Sequence, residues 1–248
     1  MNHQEYIREV PGATAAVVFI HGILGTPDHF DDLIPLVPAE CSVYNILLEG
    51  HGGSVMDFAR SSMKKWRDQV ERLYERISPR YEKIVFAGHS MGTLFAIQMA
   101  AAHPDRIPFA FLLACPMQVG LRAVMVENAL RVALGRIDET NHQQVATRNA
   151  TSIRPDPRLI PYVTWVPRFL ELFREIRQTR KLLPRLEVPV YAVQSARDEM
   201  VAPRAAKLLR ESSKVHVTVL PESAHFYYSD CDKAAMLAHF SDICEKFL

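Results

Sequence analysis

Three residues far apart in the chain, Ser90, Asp198 and His225, have the side-chain types that nucleophilic acyl transfer requires. A serine hydroxyl attacks poorly until a base takes its proton, and a histidine in that role needs a carboxylate to fix its tautomer and offset its charge. Ser90 is the centre of Gly88-His89-Ser90-Met91-Gly92, where flanking glycines make room for a sharp strand-to-helix turn that leaves the hydroxyl outward. The order Ser, Asp, His along the chain is one in which such triads occur. A developing oxyanion would also need preorganised N–H donors. The backbone of Met91, at the start of the helix after Ser90, supplies one candidate, and Ile23 in His21-Gly22-Ile23-Leu24-Gly25 supplies the other. His21 itself, at a strand end before Gly22, reads as a structural hydrogen-bonding residue rather than a proton carrier.

Elements that could hold these residues together follow from hydrophobic patterning. Short apolar runs at Ala16–Ile20, Ser42–Leu47, Lys83–Ala87, Phe109–Ala114, Val188–Gln194 and Val215–Leu220 read as buried parallel strands. Helical patterns separate them at Asp28–Val37, Met56–Ile77, Met91–His103, Pro203–Arg210 and Asp230–Leu248. The alternation predicts an α/β fold with a mostly parallel central sheet covered by helices on both faces. Ser90, Asp198 and His225 each follow a predicted strand, so they belong to one carboxyl edge, where ligands bind in open α/β sheets. Of the 10 histidines, only His225 follows the last strand and precedes the last helix.

Residues 117–184 break the rhythm, offering helical pieces at Val119–Leu134 and Pro167–Leu183 and no convincing strand. The segment leaves the sheet after Phe109–Ala114 and returns at Val188, so it predicts a helical cap inserted into a core made of residues 1–116 and 185–248. Met117, Met125, Tyr162, Trp165, Phe169 and Phe173 are candidates to line an apolar pocket beneath the cap, although packing between cap helices would account for them equally. The basic stretch Phe173–Arg185 reads as the solvated face of a cap helix, with membrane contact as the alternative.

Composition narrows the partners. A formal charge of +1 over 248 residues gives no global field for nucleic acid or anionic partners, so a small molecule is expected. Gly50-His51-Gly52-Gly53 lacks the Lys-Ser/Thr of a phosphate-binding loop, and His51 has no second ligand at metal spacing. No metal and no cofactor are expected. The 4 cysteines form no CxxC pair and read as reduced thiols. The polar N-terminus shows no secretory pattern, and no uncharged apolar run reaches about 18 residues. Together these predict a cytoplasmic protein without stable membrane insertion, while oligomeric state stays open.

With these motifs assembled, the chain resembles the α/β-hydrolase superfamily, and more closely its compact bacterial carboxylesterases and monoacylglycerol lipases. The resemblance rests on His21 to Gly25, Gly50-His51-Gly52, the Gly88 to Gly92 elbow, Ser195 to Val201 and Glu222-Ser223-Ala224-His225. It implies the α/β-hydrolase fold and a serine esterase acting on carboxylic esters of short to medium acyl chains through an acyl-enzyme. The same framework supports thioesterases and other acyl hydrolases, and a noncatalytic ligand-binding module is the reading from a different class. One departure is Ala224, where such enzymes commonly carry glycine before the histidine.

Overall fold

The computed structural model describes residues 3–248 apart from 121, 134, 157 and 159, and apart from the side chains of residues 126 and 133. Its sheet contains seven strands, β1 (Tyr6–Arg8), β2 (Ala15–Ile20), β3 (Ser42–Ile46), β4 (Lys83–His89), β5 (Ala110–Leu113), β6 (Val190–Ser195) and β7 (Val215–Leu220), ordered β1-β3-β2-β4-β5-β6-β7. Only β1 runs antiparallel, and β2 to β7 are parallel, so their carboxyl ends share one edge. The order reverses at β2, with β3 on one side and β4 on the other. That reversal opens a crevice at the ends of β2 and β4, next to the two segments expected to carry the oxyanion donors and the nucleophile.

Strand periodicity explains the two-sided core. Ala16, Val18 and Ile20 of β2 join Ile84 and Phe86 of β4 on one face, while Ala15, Val17 and Phe19 join Val85 and Ala87 on the other. Alternate residues point to opposite faces, and both faces are covered, so β2 is buried at every position. The first face packs against α1 (Val55–Ala59), α2 (Met63–Ile77), α3 (Met91–Ala102), α6 (Val166–Arg180) and α7 (Arg204–Leu209). The second face packs against α8 (Asp230–Phe247), whose Phe240 ring lies 4.9 Å from Phe111 and 6.1 Å from Phe19. In residues 117–184, α4 (Ala123–Ala133) and α5 (His142–Asn149) precede α6 in the chain.

Several elements differ from the sequence expectation for identifiable reasons. β1 went unpredicted because the three residues Tyr6-Ile7-Arg8 are too few and too exposed to show a period; it is held instead by Arg8, whose Nη2 donates to the carbonyls of Val37, Pro38 and Cys41. Asp28–Val37 forms no α-helix but two 3₁₀ turns, Pro27–Phe30 and Ile34–Leu36. Pro35 within that stretch has no N–H for an α-helical ladder. The expected helix Met56–Ile77 is broken at Arg60-Ser61-Ser62, where the Ser62 hydroxyl accepts from Lys65 N and starts α2 afresh. Helix α5 was also unforeseen; Asn141 caps it by accepting from Gln143 N and Gln144 N.

Candidate active site

β4 ends in a sharp turn at Ser90, which adopts φ 50° and ψ −118° before α3 begins. Positive φ in a residue with a side chain costs on the order of 1–3 kcal/mol, so the surroundings must impose it. They do so from both sides: Ser90 N donates to Leu113 O at 2.8 Å, and Ser90 O accepts from Thr93 Oγ1 at 2.6 Å. A Cβ at position 88 would come 2.5 Å from Gly92 C, and one at position 92 would overlap the Ile20 carbonyl. Both glycines are therefore required by close backbone approach.

The base and its carboxylate meet directly. His225 Nδ1 lies 2.9 Å from Asp198 Oδ2, and both residues are buried. Asp198 Oδ1 accepts from Met200 N at 2.8 Å and Val201 N at 2.7 Å, which fixes the carboxylate against its own loop. With Nδ1–H donated to Asp198, Nε2 carries the lone pair. That atom is buried and has no hydrogen-bond partner among the described residues, so no bond links it to Ser90 Oγ here. Burial works to lower the His225 pKa, but the charge of Asp198, its hydrogen bond and the charge of Glu199 outweigh burial and leave the pKa raised.

Other residues hold the base loop in place. Glu199 is buried, and its Oε2 accepts from His225 N at 3.2 Å. His89, immediately before Ser90, places Nε2 3.1 Å from the His225 carbonyl and its ring 4.9 Å from the His225 ring. It thereby couples the elbow to the base loop. Asp232 of α8 reaches back to accept from Glu222 N at 2.8 Å and Ser223 Oγ at 2.7 Å. Sequence reasoning singled out none of these three for such a role. Glu199 and His89 stood beside motif residues, which is a usable signal, whereas Asp232 is tied to the loop only by tertiary folding.

The loop after β2 completes the edge. Gly25 N donates to Gly22 O at 3.0 Å, closing a turn around Ile23 and Leu24, the latter at φ 60°. A Cβ on Gly22 would meet Ser90 Cβ at 3.0 Å, so this loop lies directly against the elbow. Met91 is the first residue of α3, where N–H groups have no intrahelical acceptor. His21 donates from Nδ1 to Gly22 O at 2.8 Å while Nε2 accepts from Leu48 N at 3.0 Å, and burial brings its pKa down to about 4. Both nitrogens are thus occupied with backbone, as expected of a structural residue. His51 packs against Phe58 and Trp66, and burial holds its pKa well below the usual range. Among the described residues no group of three or more His, Cys, Asp or Glu side chains could hold a metal ion. All four cysteines are free, and burial pushes the Cys115 thiol up to about 12.

Residues 17–238 match the Alpha/beta hydrolase family. The chain belongs to that family. This α/β-hydrolase is 26% identical over 243 residues to the pimeloyl-[acyl-carrier protein] methyl ester esterase of Neisseria meningitidis serogroup C, covering 91% of this chain and 92% of the relative. It is 25% identical over 229 residues to a thermostable monoacylglycerol lipase of Bacillus sp. strain H-257, covering 89% and 86% respectively. Among solved structures, the monoacylglycerol lipase of Paleococcus ferrophilus superposes with a TM-score of 0.69 at 18% identity, over 97% of this chain and 98% of that one. A structure from a study of the metagenome-derived lipolytic enzymes LipS and LipT superposes with a TM-score of 0.76 at 19% identity, over 99% and 98%. The last two likenesses concern the fold.

In this α/β-hydrolase the methyl of Ala224 is accommodated without positive φ, and Ala224 N donates to Tyr227 O at 2.8 Å. The pocket candidates do not form one group. Met117 is fully buried, and Met125 is half-buried on α4. Tyr162, Trp165 and Phe169 pack against the core: Trp165 lies 4.9 Å from Phe58 and donates from Nε1 to Val55 O, and Tyr162 lies 4.8 Å from Trp165. Phe173 is exposed and lines a groove of about 890 Å³ between α6 and α7 that touches none of Ser90, Asp198 or His225. Among the described residues no helix is long and apolar enough to cross a membrane.

Proposed function

We propose that the protein is a serine esterase that cleaves carboxylic esters of short to medium acyl chains through an acyl-enzyme. The observation that carries this reading is the state of His225: Nδ1 is committed to a fixed carboxylate, and Nε2 is buried with its lone pair unpartnered among the described residues. A base so prepared gains most from a hydroxyl approaching Nε2, and the neighbouring elbow carries Ser90. Nucleophile–base contacts commonly tighten only when substrate binds.

Ser90 Oγ attacks the ester carbonyl while His225 Nε2 takes its proton. The N–H groups of Ile23 and Met91 receive the oxyanion, and Asp198 stabilises the imidazolium. Collapse expels the alcohol, protonated by His225; water activated by the same imidazole then releases the acid. The relatives include a methyl ester esterase and a monoacylglycerol lipase, and the shared element, a carboxylic ester of an aliphatic acid, supports this substrate class. A fluorophosphonate probe is expected to label Ser90 in the folded protein and not the Ser90→Ala variant; an unlabelled wild type overturns the reading. A panel of p-nitrophenyl esters, monoacylglycerols and acyl-thioesters separates an esterase from a thioesterase using the same residues.

A further inference from the structure

The strongest feature that the reaction leaves unused lies on the outside of the 117–184 segment. Ile160, Val163, Val166, Leu170 and Phe173 are all exposed, from 37% for Phe173 to 84% for Ile160. They recur every three or four residues along the 3₁₀ turn Ile160–Trp165 and α6, so they form one continuous stripe. Singly exposed apolar residues need no explanation, but five in a row along one helical face mark an interaction surface.

Charge along the same helix gives the stripe a direction. The acids of α6 are already engaged, Glu171 with Arg168 at 2.6 Å and Glu175 with Arg67 at 3.0 Å. Arg174, Arg177 and Arg180 follow the stripe toward the C-terminal end and have no carboxylate partner among the described residues. Arg204 of α7 faces them across the groove that Phe173 lines. At 1.5 Å per residue, Arg177 lies about 10 Å along the axis from Leu170. A helix that meets the surface by its N-terminal end therefore sets the apolar residues at acyl-chain level and the trailing arginines among the headgroups. The apolar end also sits near the catalytic edge, because Trp165 bonds to Val55 of α1, just beyond the loop that follows β3.

We propose that this stripe docks the protein reversibly on an anionic lipid surface. A second copy of the chain fits less well: antiparallel pairing of two stripes sets arginines against apolar side chains, and parallel pairing sets arginines against arginines. Anionic headgroups supply the charge that the stripe lacks.

The test is flotation with phosphatidylcholine vesicles, with and without phosphatidylglycerol, using wild type and Ser90→Ala so that the result is independent of turnover. Both proteins are expected to float with the anionic vesicles and to be released by salt. Arg174→Gln with Arg177→Gln should weaken that association about 30-fold while leaving neutral vesicles unaffected. Val163→Ser with Leu170→Ser should weaken it by about ten-fold or more on either vesicle. Both pairs should retain wild-type circular dichroism and turnover of a soluble short-chain ester. Failure of wild type to associate with anionic vesicles overturns the proposal. So does a dimer on sizing chromatography that Val163→Ser with Leu170→Ser abolishes, which would assign the stripe to a second copy.

Discussion

At the carboxyl edge of the sheet, Asp198 divides its two oxygens among three donors and His21 commits both ring nitrogens to backbone groups. In residues 117–184, several polar side chains instead meet in exposed ion pairs such as Arg148–Glu139 and Arg131–Glu127. Pairs of that kind hold geometry weakly, because water and salt compete for both partners. The edge is anchored to backbone that the buried sheet fixes, whereas residues 117–184 are anchored largely through side chains: Leu172 and Ile176 join the core, Glu175 pairs with Arg67, and Arg168 and Trp165 donate to the carbonyls of Ser61 and Val55. The same contrast appears among buried histidines. Burial brings His21 down to about 4 and holds His89 well below the usual range, yet His225, equally buried, is raised because Asp198 and Glu199 stand beside it. A carboxylate neighbour, rather than depth, distinguishes the candidate base.

The largest effects should come from the edge. Ser90→Ala or His225→Ala is expected to reduce kcat by about a million-fold, as in other serine–histidine–carboxylate sites. Asp198→Asn should cost about 10,000-fold, because the amide fails to hold the required tautomer. Steady-state kinetics on a p-nitrophenyl ester checks both; near-normal turnover in any of these variants would reassign the role. Gly92→Ala should act on stability, since the added methyl overlaps the Ile20 carbonyl and forces β2 and α3 apart. A loss of about 2 kcal/mol or more in urea unfolding is expected, and an unchanged midpoint would contradict the packing described for the elbow.

These same constraints explain what the chain's sequence discloses. Positions 88 and 92 admit only glycine because backbone crowds them, and the placement of Ser90, Asp198 and His225 after successive strands follows from the period of apolar residues. The meeting of Asp198 with His225 could therefore be anticipated from order alone. Residues 117–184 offered no such handle. α5 begins at a local side-chain cap, Asn141, the aromatics of the segment serve core packing as readily as a pocket, and Phe173 faces outward. β1 was invisible because its stability comes from pairing with β3 and from the reach of Arg8 to the Val37, Pro38 and Cys41 carbonyls, not from an apolar period.

Glu199→Gln gives a finer probe of the edge. The amide keeps an oxygen that can accept from His225 N but removes a negative charge that favours the imidazolium. The base works only when neutral, so kcat/KM falls as pH drops through the His225 pKa. Removing the charge lowers that pKa, and the acidic limb should move to lower pH with little change in the plateau. A limb that stays in place would mean that Asp198 alone sets the titration.

The smallest effect should lie in residues 117–184. Trp165→Phe retains a ring to pack on Phe58 but loses the hydrogen bond from Nε1 to Val55 O. A single neutral bond is worth about 1 kcal/mol, so a comparable drop in unfolding free energy is expected. Turnover of a small soluble ester should stay near wild type, since no polar contact links Trp165 to the Asp198–His225 pair among the described residues. If Trp165→Phe instead lowered kcat strongly, the edge would owe its geometry to residues 117–184 as well as to the sheet, and the separation between the two regions would fail.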